Sequence, residues 1–179
     1  TTAVNLGACL AMLGKKILII DIDPQGNATS GLGIDTNKLQ YCIYDVLIND
    51  LDLARAILPT EIPGLEVVPA AIKLAGAEIE LVPAISRESK LKQALEKVRN
   101  NYGFILIDSP PSLGLLTINA LTAADSVLVP IQCEYYALEG LSQLMNTIRL
   151  VQKHLNPDLY LEGVLLTMFD ARTNLAIQV

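Results

Sequence analysis

Short aliphatic runs alternate along this chain with stretches whose apolar residues recur at helical spacing. Residues 1–13 are rich in Ala, Leu and Met. Small residues at Ala3, Gly7, Ala8 and Ala11 predict a helix that packs close to a sheet, with Gly14 placed to end it in a left-handed cap. Residues 17–21, 65–69, 104–108, 126–131 and 163–168 read as strands. Short helices are predicted over 44–48 and 53–58, and helical structure over 72–81. A helix over 86–99 has Ser86 as its candidate N-cap, and two more cover 113–123 and 138–154. Residues 24–40 read as loop, with Gly26, Gly31 and Gly33 giving backbone freedom. The strands are continuous apolar runs rather than alternating patterns, and they alternate with helices. This predicts an α/β fold, a mainly parallel sheet with helices on both faces.

Composition narrows the picture. With 179 residues, 51% of them hydrophobic, the chain can build one sizeable core, and no repeat or linker divides it. Residues 1–179 are therefore expected to form a single domain. No apolar run approaches the ~18 residues of a membrane-spanning helix, and no basic-then-apolar signal segment opens the chain. A net charge of −6 argues against a preformed nucleic-acid surface within these residues. Cys9, Cys42 and Cys133 form no metal or disulfide pattern, which fits a reducing cytoplasm. His154 is the only histidine, which excludes a multi-histidine metal site and argues against a Ser-His-Asp triad. It reads as an exposed residue late in a helix. Tyr135 and Tyr136 are adjacent, do not share a helix face, and read as one packed and one surface side chain rather than a base-stacking pair.

The candidate chemistry sits where strands end. Ile17-Leu18-Ile19-Ile20-Asp21-Ile22-Asp23-Pro24-Gln25-Gly26-Asn27 passes from four aliphatic residues straight to two carboxylates and a turn. Residues two apart on an extended chain point the same way, so Asp21 and Asp23 can face one site. Asp108 ends a second aliphatic run, and adjacent parallel strands would bring it beside them. Ligands of open α/β folds bind at that carboxyl edge. A group of acids there suits a hydrated magnesium ion, which takes one or two carboxylates and keeps several waters, and magnesium suggests a phosphate ligand. A single strand-end Asp is more often an ordinary turn or cap.

The longer motifs carry a resemblance. ILIIDIDPQGNATSGLG at 17–33 resembles the segment after the first helix of the ParA/Soj chromosome- and plasmid-partitioning ATPases. FILIDSPPSLGLLTINAL at 104–121 is similar to their Walker B and switch region, and VPIQCEYYALEGLSQL and GVLLTMFDART extend the match in order and spacing. The resemblance implies a P-loop NTPase-type fold, truncated at both ends. In that family the first helix begins inside a lysine-rich phosphate loop of the form KGGVGKTTTAVNL, and this chain begins at Thr1-Thr2-Ala3-Val4-Asn5-Leu6. The backbone cradle for the phosphates and the phosphate-loop strand inside the sheet are expected upstream of residue 1, and further strands and helices beyond Val179. The fragment alone is expected to be inactive.

Residue by residue, the resemblance implies that Asp23 orients the attacking water, that Asp21 lies near the magnesium shell, and that Asp108, the Walker B acid, binds magnesium through water. Thr1 and Thr2 fall near the phosphates at the helix start, and Met168 near the adenine. Pro110, Pro111 and Gly114 fall on the switch segment that responds to the γ-phosphate. The implied cofactors are ATP and Mg2+. The implied partners are a ParB-like protein, non-specific DNA of the nucleoid, and a second copy in an ATP-bound homodimer. The implied location is the cytoplasm, with no membrane contact. The alternative is a MinD-type positioning ATPase at membranes, which would need a C-terminal amphipathic helix rich in Lys. An iron–sulfur reductase component would need paired cysteines at a dimer axis, and the three cysteines do not fall in the switch positions.

Overall fold

A computed structural model describes residues 1–132 and 137–168, so Cys133, Tyr135 and Tyr136 lie outside the described residues. The chain forms two compact units, Thr1–Ala123 and Ala124 onward.

The first unit is built on helix α1 (Thr2–Met12) and strand β1 (Ile17–Asp21), joined by the turn at Gly14, whose φ of 78° needs no Cβ. β1 is the buried axis of a four-stranded sheet. It pairs in parallel with β3 (Leu65–Val68) on one side and β4 (Phe104–Asp108) on the other. β2 (Leu58–Pro59) adds antiparallel to β3, giving the order β2-β3-β1-β4. Successive β1 side chains face opposite ways. Ile17 and Ile19 pack with Ala11, Leu65 and Val67, while Leu18 and Ile20 pack with helices on the other face. Those helices are α3 (Ile43–Ile48), α4 (Ala77–Glu80), α5 (Lys90–Leu95) and α6 (Leu115–Ala123). Each of these four β1 residues is fully buried, an arrangement that stabilises the fold by about 1.5–3 kcal/mol per side chain. The small residues of α1 do what their spacing predicts: a Cβ at Gly7 would stand 2.9 Å from Ile19 Cδ1.

Four local expectations are corrected by tertiary contacts. Residues 24–40 are not all loop: α2 (Asn27–Gly31) and a 3-10 turn (Thr36–Lys38) form there, the first because Asp21 accepts two hydrogen bonds from Thr29. The helix expected over 53–58 is a 3-10 turn (Leu53–Arg55), after which Leu58 pairs with Val67 as an edge strand. Structure over 72–81 is helical but split into a 3-10 turn (Ile72–Gly76) and α4. Ser86 is not an N-cap. It has φ 54°, its carbonyl accepts from Ser89 Oγ, and the helix starts at Lys90, where Asn119 Oδ1 accepts the Leu91 N–H that a cap would otherwise serve.

The second unit contains β5 (Ser126–Gln132), α7 (Ala137–His154) and β6 (Tyr160–Thr167). β5 and β6 pair in parallel with an irregularity at Val127/Leu128. Asn156 is buried, and its Nδ2 donates to the Ala124 carbonyl at 2.7 Å. His154 is exposed in the last turn of α7, as its setting predicts. Six of the eight β6 residues are exposed, against the buried strand that their apolar sequence suggests. Among the described residues no helix is long and apolar enough to cross a membrane.

Candidate functional site

The parallel pairing of β1 and β4 runs in register from Ile17↔Phe104 to Asp21↔Asp108, so the two acids end adjacent strands side by side. The ladder closes just beyond them, where Ile22 N–H donates to the Asp108 carbonyl at 2.9 Å. Asp23 comes next, and both Asp21 and Asp23 act on Asp108 by like-charge repulsion. The start of α1 reaches the same edge, with Thr1 close to Asp108. Thr1 is exposed and Thr2 half-buried, and the first-turn N–H groups of α1 lack intrahelical acceptors. Thr1, Asp21, Asp23 and Asp108 are thus brought together at the carboxyl edge of the sheet.

The three acids differ in what they are free to do. Asp21 is fully buried and its carboxylate is committed to the chain. Its Oδ2 accepts from Thr29 N–H at 2.8 Å and Thr29 Oγ1 at 2.7 Å, and its Oδ1 accepts from Asp23 N–H at 3.1 Å. Burial pushes its carboxyl above the usual range, and the Thr29 bonds oppose that shift. Asp23 is half-buried, and its Oδ1 accepts from Gln25 N–H at 2.9 Å, which fixes the turn beyond it. Asp108 is half-buried, and burial, then the Asp21 charge, raise its carboxyl. Among the described residues no three acid, His or Cys side chains approach closely enough to hold a metal directly. The donor set fits a cation that meets one or two carboxylates and keeps its waters, with Asp108 and Asp23 as the available oxygens.

Two residues that sequence reasoning missed organise this edge. Thr29 Oγ1 donates to Asp21 and accepts from Ala70 N–H at 2.9 Å, linking the β1 turn to the segment after β3. Thr117 Oγ1 donates to the Ser112 carbonyl at 2.6 Å and so fastens α6 to the segment after β4. The PQGNATS wording contained Thr29, but only the fold shows that its partner is eight residues back. In the segment after β4, Pro110 is buried, Pro111 exposed and Gly114 half-buried. Met168 belongs to the second unit, where it is 83% exposed beyond the end of β6 with φ 53°.

A protein-family model described as "AAA domain" matches residues 1–161. The chain is 69% identical to the sporulation initiation inhibitor protein Soj of Bacillus subtilis (strain 168), over 100% of this chain and 71% of that protein. It is 58% identical to the chromosome partitioning protein ParA of Myxococcus xanthus (strain DK1622), over 100% of this chain and 63% of that protein. The chain belongs to the ParA/Soj family of partitioning ATPases. Against these ParA/Soj relatives it spans between 63% and 71% of their length. Among solved structures it resembles a cobyrinic acid a,c-diamide synthase from Mycobacterium smegmatis crystallised with an ATP analog and magnesium. That likeness has a TM-score of 0.94 at 44% identity, over 99% of this chain and 70% of that one. The ParA/Soj fold is therefore the P-loop NTPase type that the motifs implied.

Proposed function

We propose that the protein is a ParA/Soj-type partitioning ATPase that binds ATP with Mg2+ at the carboxyl edge of β1 and β4. The observation that carries this reading is the register pairing of Asp21 with Asp108 beside the start of α1. It supports a place where carboxylates and helix N–H groups can meet a metal-bound phosphate. Asp23 orients the attacking water, and Asp108 meets the magnesium shell through water. Asp21 stands near that shell and acts by fixing the Asp23 backbone. Thr1 and Thr2 lie near the phosphates, Met168 near the adenine, and Pro110, Pro111 and Gly114 form the segment that responds to the γ-phosphate. Magnesium, when bound, neutralises charge developing on the phosphates.

Residues 1–179 then serve as an ATPase domain. ATP-dependent homodimerisation, non-specific DNA binding and stimulation by a ParB-like partner drive chromosome or plasmid segregation in the cytoplasm. Higher identity to Soj and ParA than to the diamide synthase favours partitioning over synthetase chemistry. The names of the relatives likewise favour it over a MinD-type role at membranes. In the full-length protein, Asp23→Ala is expected to leave ATP binding and dimerisation intact and to reduce turnover by at least about a hundredfold. Normal turnover in that variant would remove Asp23 from the role given to it.

A further inference from the structure

Gly114 lies at the start of α6, where its carbonyl accepts from Ile118 N–H at 3.0 Å. Its φ lies outside the left-handed region, so its backbone does not require glycine. A Cβ at position 114 would overlap Glu78 Oε1 and stand 2.6 Å from its Cδ and 2.8 Å from its Oε2. Glu78 comes from α4, which packs on α6. Its Oε1 is buried and has no hydrogen-bond partner among the described residues. The middle of the same segment is fastened, because Thr117 holds the Ser112 carbonyl. α6 itself is anchored by Asn119, whose Nδ2 donates to the Arg87 and Leu115 carbonyls and whose Oδ1 accepts from Leu91 N–H.

The geometry points to Glu78 as a positioning residue for the switch: its carboxylate packs on Gly114 and holds residues 110–114, and its unpaired Oε1 is the acceptor for a backbone N–H of that segment once the segment moves. Its Oε1 has no donor among the described residues, so an arrangement in which an N–H reaches the oxygen gains a hydrogen bond that this one lacks. The inference rests on the reading of residues 110–114 as the nucleotide-responsive segment.

The test uses the full-length protein with Glu78→Ala, Glu78→Gln, Gly114→Ala and the Glu78→Ala/Gly114→Ala double variant. A carboxylate on a flexible side chain is easily displaced, so a methyl group at 114 evicts it without unfolding the protein. Both alanine variants are expected to lower kcat for ATP by about tenfold with KM changed by less than about threefold, and the double variant to be no worse than either single one. Glu78→Gln keeps an acceptor oxygen in the same place and is expected to keep kcat within about twofold. Melting temperature should not fall in any of them. Hydrogen exchange of the 110–117 amides without nucleotide should accelerate equally in Glu78→Ala and Gly114→Ala. Unchanged exchange, multiplying kcat effects, or a fall in melting temperature that tracks the fall in kcat would overturn the inference. A wild-type protein that does not turn over ATP, with exchange still accelerated in the variants, would instead overturn the ATPase reading.

Discussion

Asp21 and Asp108 are the same residue type at the ends of adjacent parallel strands, directly across from one another, yet they do different work. Asp21 is sealed in and answers three donors from its own loop. Asp108 is half-buried beside two other acids and keeps its carboxylate for whatever arrives at the sheet edge. The difference comes from the loop after each strand. Beyond β1 the chain turns back through Gly26, at φ 62°, and returns Thr29 to the acid it has just left. Beyond β4 the consecutive Pro110 and Pro111 cannot donate, so no nearby N–H from them folds back onto Asp108. A strand-end acid is a structural clasp when its loop returns donors, and stays open at the sheet edge when its loop leads away.

The largest expected effect that would break this contrast is Asp21→Ala. Three donors, two of them buried, lose their acceptor, so unfolding of the full-length protein in urea should show a loss of about 3 kcal/mol. A loss no larger than that of an ordinary surface substitution would mean that Asp21 is not the clasp. Thr29→Val comes next. It removes one donor to Asp21 and the acceptor of Ala70 N–H, and a destabilisation of about 1–2 kcal/mol is expected by the same measurement. Asp108→Asn should move the other way. Removing a buried charge beside two like charges should raise stability at neutral pH, without magnesium, by on the order of 1 kcal/mol.

The smallest expected effect is in the pH dependence of that gain. The folded protein holds the Asp108 carboxyl above its usual value of 3.8, so the folded state binds this proton more tightly than the unfolded chain. The cost of the charge is absent below about the unfolded value and fully present above the raised folded one. The advantage of Asp108→Asn over wild type should therefore shrink as pH falls through the raised value and disappear near 3.8. Urea titrations of both proteins across that range would show it, and a gain independent of pH would place its origin elsewhere than in the charge. Asp45 and Asp52 oppose the trend in the wild type. Burial works to raise the Asp45 carboxyl, but hydrogen bonds from Lys73 and the Cys42 N–H outweigh it and hold the group below the usual range. A hydrogen bond from Lys97 lowers Asp52 in the same way, so the contribution of both acids is lost as pH falls.

Much of this was legible from residue order. The aliphatic run before Asp21 declared a strand that nothing polar interrupts, and β1 is buried along its whole length. Gly14 ended α1 where expected, and the family wording led directly to the P-loop NTPase-type sheet. Ser86 misled because a serine before a helical stretch is an N-cap only if no tertiary partner serves the first turn, and here Asn119 does. β6 misled in another way. Leu161, Val164, Leu165 and Leu166 mark a strand, but exposure depends on the neighbours a strand has, and they remain about 40% exposed.

The sequence by itself determined every strand but the short β2, the acids at their ends and the family, because hydrophobic periodicity and motif spacing are local properties of the chain. Only the tertiary structure decided which acid became a clasp, that Thr29 and Thr117 hold the two loops, and that the Glu78 carboxylate packs on Gly114. Those facts depend on atoms that are distant in the chain and meet only when β1, β4, α4 and α6 pack together, and no local pattern records such a meeting.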